Sequence, residues 1–484
     1  MSRFATILAV AAMLFAAPAF ADLNHMDLGG SLDTYYIWIQ NTFDFNSDGL
    51  SDYYGPGSGD DQDDFLRMNA RLWFEADLSD DVMVHIGLEA DRDYQTVDIG
   101  DFNRGGSESL DVFVEEAYVQ FSQIYDSAWT FTMGRKYLNF GDDPNSEEAY
   151  NTYWGHGFIL SDAISTSPQD LAQIGTIDRD PFDMILATGD FNDWLLNIGY
   201  DKAAETRSID EDADAWFVYL SYLGLETAQI DGYFTFNMVD GDGFLGANDL
   251  RVDQYIVGLR VAGDFNDSFA YKGEIAYNFG DLDGTNNVLA TNDSEGDISG
   301  WAAQLGVHFH PDADYNPGLG FMYTFLSGDE DLAEQADFDG FFAPFEGKVY
   351  GEIADVYVKT NMHVFNLYGG LDLTDSVRLS SALYYFLLHD EDEATILPGQ
   401  YSTIGPVSPV TFTDDDGLGW EWDVMLDYMF SEEVSAQLAA GIFFPGDAIE
   451  GSYTGFQNAL GQKIGELNAD DEAVFFRGAV KVKF

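Results

Sequence analysis

The sequence predicts an all-β protein, a transmembrane antiparallel β-barrel of about eighteen strands with long outer loops and short periplasmic turns. Three observations carry this expectation. The chain closes on an alternating strand that ends in Phe484. Segments of alternating polarity recur along it, with the ~10-residue length that a tilted strand needs to cross a bilayer. The connections between those segments are alternately long and short.

The N-terminus opens with Arg3, an apolar stretch from Thr6 to Phe20, and Ala19-Phe20-Ala21, which fits an A-x-A cleavage site. Residues 1–21 therefore read as a secretory signal peptide and 22–484 as one barrel domain. No later apolar run is long enough for a membrane helix. A membrane protein built without such runs has to be a closed barrel, because only closure pairs every backbone group inside the bilayer.

The candidate strands are 29–41, 64–78, 81–94, 109–122, 127–138, 182–189, 192–202, 213–223, 228–238, 251–263, 267–279, 297–310, 316–326, 358–370, 376–389, 416–429, 432–443 and 472–484. Between them fall the long gaps 42–63, 95–108, 139–181, 203–212, 239–250, 280–296, 327–357, 390–415 and 444–471. The intervening gaps are short, such as Ser79-Asp80, Asp190-Phe191 and Phe430-Ser431. Asn, Asp and Gly supply the turn chemistry, as in Gly263-Asp264-Phe265-Asn266-Asp267. An even strand count places both termini on the periplasmic side. A propeller would show a repeated blade sequence, and none is seen.

Period two assigns the faces. In 64–78, Leu66, Met68, Ala70, Leu72, Phe74 and Ala76 point to lipid, while Arg67, Asn69, Arg71, Trp73 and Glu75 point to the lumen. In 267–279, Phe269, Tyr271, Ile275 and Tyr277 point out, and Lys272, Glu274 and Asn278 point in. The last strand sets Val474, Phe476, Val480 and Val482 against Phe475, Arg477, Ala479 and Lys481.

With 86 acidic and 20 basic residues, the formal net charge is −66. That excess works against nucleic-acid binding. The absence of Cys excludes a disulfide framework and Cys-ligated metals. Acidic residues concentrate in the long connections. The scarce basic ones fall on lumen positions: Arg67, Arg71, Lys136, Arg260, Lys272, Arg378, Arg477 and Lys481. Two readings stay open. They form a pore lining that selects a hydrophilic anion, or they pair with carboxylates on neighbouring strands.

Two stretches carry a family resemblance. Gly134-Arg135-Lys136-Tyr137-Leu138-Asn139-Phe140-Gly141-Asp142 resembles the strand-to-loop motif of the alginate-export family of outer-membrane proteins. Tyr323-Thr324-Phe325-Leu326-Ser327-Gly328-Asp329 resembles that family's small-residue loop opening. Phe341-Phe342-Ala343-Pro344-Phe345, Tyr350-Gly351 and a strand containing Asn361 then follow in order. The resemblance implies a monomeric barrel in a Gram-negative outer membrane, inserted by the barrel assembly machinery, that passes an anionic polysaccharide through an Arg-lined lumen. Within the matched motifs only Lys136 carries over as a lumen residue. The strongly acidic composition departs from what a polyuronate exporter would want.

Other constellations suggest further chemistry. Asp44, Asn46, Asp48 and Asp52 have the alternate-oxygen spacing of a calcium loop, although Gly55 stands where a bidentate Glu belongs. His308 and His310 share a face, and a packing role at the periplasmic rim outweighs metal or haem binding. His85 on the lumen side keeps an outer-membrane hydrolase in view, but no G-x-S-x-G elbow is present. A sheath around a partner cytochrome is the remaining alternative, and it would need that partner because the chain has no C-x-x-C-H. The reading is a channel, not an enzyme, with no cofactor beyond possible calcium in an outer loop.

The 139–181 connection is long and contains Trp154-Gly155-His156-Gly157-Phe158-Ile159-Leu160. Such apolarity predicts a segment folded into the mouth as a constriction. Deleting 145–175 is then expected to raise single-channel conductance in planar bilayers; unchanged conductance would remove the idea.

Overall fold

The computed structural model describes residues 25–41, 62–94, 111–138, 140, 181–206, 211–241, 248–285, 293–328, 337–342, 350–353, 360–390, 394–395, 410–411, 415–448, 456–457, 463–465 and 471–484. The signal peptide and the Asp44–Asp52 loop lie outside them. Eighteen strands form one sheet. They are β1 (His25–Gln40), β2 (Gln62–Ser79), β3 (Val82–Tyr94), β4 (Asp111–Phe121), β5 (Trp129–Lys136), β6 (Phe182–Asp190), β7 (Trp194–Thr206), β8 (Glu211–Leu225) and β9 (Ala228–Gly241). The second half adds β10 (Asn248–Asn266), β11 (Phe269–Thr285), β12 (Asp293–Phe309), β13 (Gly318–Leu326), β14 (Met362–Thr374), β15 (Val377–Leu388), β18 (Gly417–Met429), β19 (Val434–Pro445) and β22 (Ala473–Lys483). Two small hairpins sit in outer connections: β16 (Ala394–Thr395) with β17 (Val410–Thr411), and β20 (Phe456–Gln457) with β21 (Lys463–Gly465).

Each barrel strand pairs antiparallel with the next, and β22 pairs back onto β1, so the sheet closes. Ser31 faces Lys483 and Gln40 faces Val474 along that seam. One step further, Gly30 and Phe484 exchange two backbone hydrogen bonds of 2.8 and 2.9 Å. The terminal residue thus seals the join at the short-turn end. Among the described residues no helix is long and apolar enough to cross a membrane.

Every segment expected from alternation is a strand. β14 begins at Met362 instead of 358 for a local reason. The Asn361 N–H and the Thr360 hydroxyl both donate to the Ser327 carbonyl, and Asn361 adopts φ 52°. A left-handed residue ends an extended ladder, and Asn tolerates that region better than most. The short turns use the same preference: Asn192, between β6 and β7, has φ 64° and donates its N–H to Asp190 at 3.1 Å.

The outward rows are apolar and solvent-facing around the sheet, including Leu72, Met133, Ile185, Ile198, Leu259, Ile275, Leu305 and Leu367. A water-exposed band of this extent would aggregate, so its solvent is lipid. Aromatic rings bound the band at two levels. Towards the long connections, Trp216, Phe236, Tyr255 and Phe279 stack at 4.7–5.4 Å, and Tyr277 meets Trp301 at 4.4 Å. At the short-turn end, Phe265 meets Tyr271 at 4.3 Å and Phe269 meets Phe309 at 4.6 Å. These are the girdles expected at the two membrane interfaces.

Leu305 lies on the outward row between Trp301 and Phe309 and is 63% exposed. Leu305→Arg is expected to destabilise the barrel by about 2–4 kcal/mol in lipid, the cost of a cation at mid-depth. Urea unfolding in phospholipid vesicles measures it. A near-zero change would place this face outside the bilayer.

Candidate functional site

The inward rows converge on the lumen, and the basic residues singled out in the sequence can be placed one by one. Arg71 on β2 lies 3.1 Å from Glu115 and 3.5 Å from Glu89. Glu115 reaches it because of a β-bulge. Gly87 pairs with Glu116 and Leu88 with Val114, which leaves Glu115 unpaired between them. Two against one sends both glutamates inward. The Glu89 carboxylate also accepts the Asn69 amide, and the Tyr137 hydroxyl donates to Glu115 at 3.1 Å. Arg67, two residues from Asn69, is wholly buried.

Across the lumen wall, Arg260 meets its register partner Asp231 at 2.6 Å. Its other register partner, Glu274, accepts the Tyr233 hydroxyl at 2.6 Å and the Gln304 amide. Lys272 is buried on the same strand as Glu274. Arg378 meets Asp372 at 2.6 Å near the β14–β15 turn. Lys136 holds its ammonium 4.7 Å from the centre of the Tyr118 ring, a cation–π distance. Lys481 is exposed at the short-turn mouth, with Asp33 and Ser435 as register partners.

His85 faces Glu75 and Glu116 through its two ring nitrogens, each at 3.4 Å, and stacks on Tyr118 at 5.0 Å. Its contacts are carboxylates and an aromatic ring, not the serine that a hydrolase pair needs. His308 stacks on Tyr368 at 5.6 Å and lies 5.5 Å from His310, an arrangement of packing. Among the described residues no group of three or more acidic or histidine side chains is placed to hold a metal ion.

The strongest feature of the lumen is one that the face assignment does not show. Parts of the β13–β14 connection run inside the barrel as a strap. At one anchor, Phe338 forms an isolated parallel bridge with Ile298 on β12: its N–H donates to Asp297 and its carbonyl accepts from Ser299, both at 2.8 Å. The Asn278 amide then donates to the Gly340 carbonyl at 3.3 Å, and the Gln254 amide to the Phe342 carbonyl at 2.8 Å. Gly300 permits this approach, because a Cβ there would lie 2.5 Å from the Gly340 backbone.

The second anchor is on a different wall. The Glu352 and Ile353 N–H groups both donate to one Glu421 oxygen, at 2.7 and 2.8 Å. Gly351 adopts φ 101°, and a Cβ on it would come within 2.7 Å of Glu421. Arg477 on β22 clamps the Glu352 carboxylate with two hydrogen bonds of 2.9 and 3.3 Å and donates a third to the Gln437 side-chain oxygen at 3.0 Å. Asp423 is buried two residues from Glu421. Phe341, Tyr350 and Ile353 of the strap are buried.

The apolar segment expected to fold inward was 139–181. Most of it lies outside the described residues. Its first ring, Phe140, does enter the lumen, stacking on Tyr219 at 4.5 Å and meeting Phe217 edge-on at 5.8 Å. The strap had a comparable signal in sequence, the phenylalanines at 341 and 342 in an otherwise acidic outer connection.

A closed eighteen-strand sheet, a lipid-facing apolar band between aromatic girdles and a polypeptide strap inside define an outer-membrane β-barrel of the porin type. The family model described as alginate export matches residues 181–458. That is more than half of the chain, and the chain belongs to the alginate export family. Its fold is similar to that of OccK8 (OprE) of Pseudomonas aeruginosa, with a TM-score of 0.52 at 12% identity over 96% of this chain and 99% of the other. It is also similar to OccK11 (OpdR) of the same organism, with a TM-score of 0.51 at 8% identity and 96% of each chain covered. No curated protein matches the chain in sequence.

The two kinds of lumen ion pair should behave differently. Arg260→Ala strands the fully buried Asp231 and is expected to cost about 3–5 kcal/mol. Arg378→Ala, whose partner Asp372 is one-third exposed, should cost about 1 kcal/mol or less. Urea unfolding of the two variants side by side checks the order.

Proposed function

We propose that the protein is a passive channel of a Gram-negative outer membrane, with the strap as its constriction and no catalytic role. The observation that carries this reading is the strap itself. One stretch of chain is tied to β10–β12 at residues 338–342 and to β18 and β22 at residues 352–353. Segments of a connection held against the inner wall at two places narrow the lumen, and such a narrowing sets the size and chemistry of what passes.

The finer reading is that the solute is a hydrophilic anion or an anionic polysaccharide. Family membership and the lumen position of the basic residues support it. The carboxylates around them bear on it too. Arg71, Arg260, Arg378 and Arg477 each stand within 3.5 Å of a carboxylate, so their field is largely neutralised while the strap is docked. Arg477 differs from the other three, because its partner Glu352 is carried by the strap and not by the wall.

Planar-bilayer recording tests the proposal. The purified barrel should conduct alone, and its reversal potential in a potassium chloride gradient should show anion preference. Gly351→Val, which crowds Glu421, should loosen the second anchor and raise single-channel conductance severalfold. An inert, non-conducting barrel would refute the channel. Cation preference would refute the anionic solute.

A further inference from the structure

We propose that His363 and His389 form a binding site for a divalent transition-metal ion of the nickel, copper and zinc class, on the outer face of the barrel at its loop-side rim. The two imidazoles come from neighbouring strands. His363 is the second residue of β14, and His389 follows the last residue of β15. Met362 pairs with Leu388, and the His389 N–H donates to the Asn361 carbonyl at 3.1 Å, so the two histidines stand diagonally across one strand pair. Both continue outward rows. Phe365 and Leu367 follow His363 at period two, and Leu383 and Tyr385 lead up to His389. The two ring centres lie 5.5 Å apart, with 74° between the planes. An imidazole nitrogen meets such an ion at about 2.0–2.1 Å, which sets the centres of two rings on one tetrahedral ion about 5 Å apart. The pair already stands at chelating separation.

The surroundings suit a ligand pair. The Tyr323 hydroxyl lies 2.8 Å from His363 Nδ1, which leaves Nε2 for the ion. A hydrogen bond to the other ring nitrogen is the usual way to orient a ligating imidazole. Phe325, the register partner of His363, packs against both imidazoles at 5.1 and 4.9 Å and limits their rotation. His389 is exposed at the rim, so water can fill the positions that two protein ligands leave open. The net charge of −66 draws cations to this surface. Carboxylates alone would favour calcium or magnesium, whereas imidazoles select the transition ions. His308 and His310 are also 5.5 Å apart, but their rings stack with 24° between the planes, and His308 is buried against Tyr368. A bound ion at His363 and His389 would tie together the roots of two long connections, the one that enters β14 and the one that leaves β15.

Calorimetric titration of the untagged, folded barrel in detergent with nickel chloride tests the site. One nickel ion per barrel is expected to bind, and an excess of calcium or magnesium should not displace it. His363→Asn and His389→Asn should each weaken binding by about tenfold or more, because each removes one of two protein ligands. His308→Asn should leave the affinity unchanged. Heat-modifiable electrophoretic mobility confirms that each variant is a folded barrel. Should His363→Asn fail to fold, His389→Asn, at an exposed position, decides the matter alone. A folded wild-type barrel that takes up no nickel overturns the site and leaves the two rings as packing within the girdle. So does an affinity that survives both His363→Asn and His389→Asn, or one that is lost with His308 instead. Displacement of nickel by calcium overturns the assignment of a transition ion.

Discussion

Everything in this structure depends on one constraint: a backbone amide or carbonyl in hydrocarbon must find its partner within the protein. The sheet therefore cannot keep an edge, and β22 must reach β1. The two bonds between Gly30 and Phe484 finish that task at the last residue of the chain. Closure then imposes the two-sidedness of the whole molecule. Alternate side chains have no choice but lipid or lumen, and the outward rows become leucine, isoleucine and aromatic because anything else would be stranded in the bilayer.

The same rule governs the strap. A loop drawn into a barrel carries its own amides and carbonyls away from bulk water, and each needs a partner. Here the partners are side chains and main-chain groups of the wall. Asn278 and Gln254 donate to strap carbonyls, Glu421 accepts two strap N–H groups, and the Ser327 carbonyl gathers the N–H groups of Phe341 and Asn361 and the Thr360 hydroxyl. Those wall residues are polar for the sake of the loop as much as for a solute.

The charge of the protein divides along similar lines. Most of the excess of 86 acidic over 20 basic residues falls, along the sequence, in the long connections. The lumen instead works by local pairing. A buried arginine is tolerable only with a partner in good geometry, and Arg260–Asp231 and Arg477–Glu352 supply it at 2.6 and 2.9 Å. Four of the basic side chains that look like an anion lining when read along the chain, Arg71, Arg260, Arg378 and Arg477, stand in ion pairs in three dimensions. One of these, Arg477–Glu352, is made with the β13–β14 connection and not with another strand.

The sequence by itself determined the strands, their faces and the end of the barrel at which the chain terminates. These follow from period-two alternation and from loop lengths, both local properties of a chain in lipid. It also assigned the arginines and lysines to one side of their strands, because parity alone assigns a side. Only the tertiary structure decided what those residues touch. The bulge that turns both Glu115 and Glu116 inward depends on a one-residue shift against β3, which alternation within β4 cannot reveal. That the β13–β14 connection enters the lumen depends on Gly300, Asn278, Glu421 and Arg477, residues far apart in sequence that closure brings around one space. Pairing across a barrel is a matter of which strands become neighbours and at what register, and the period of a single strand contains no record of it.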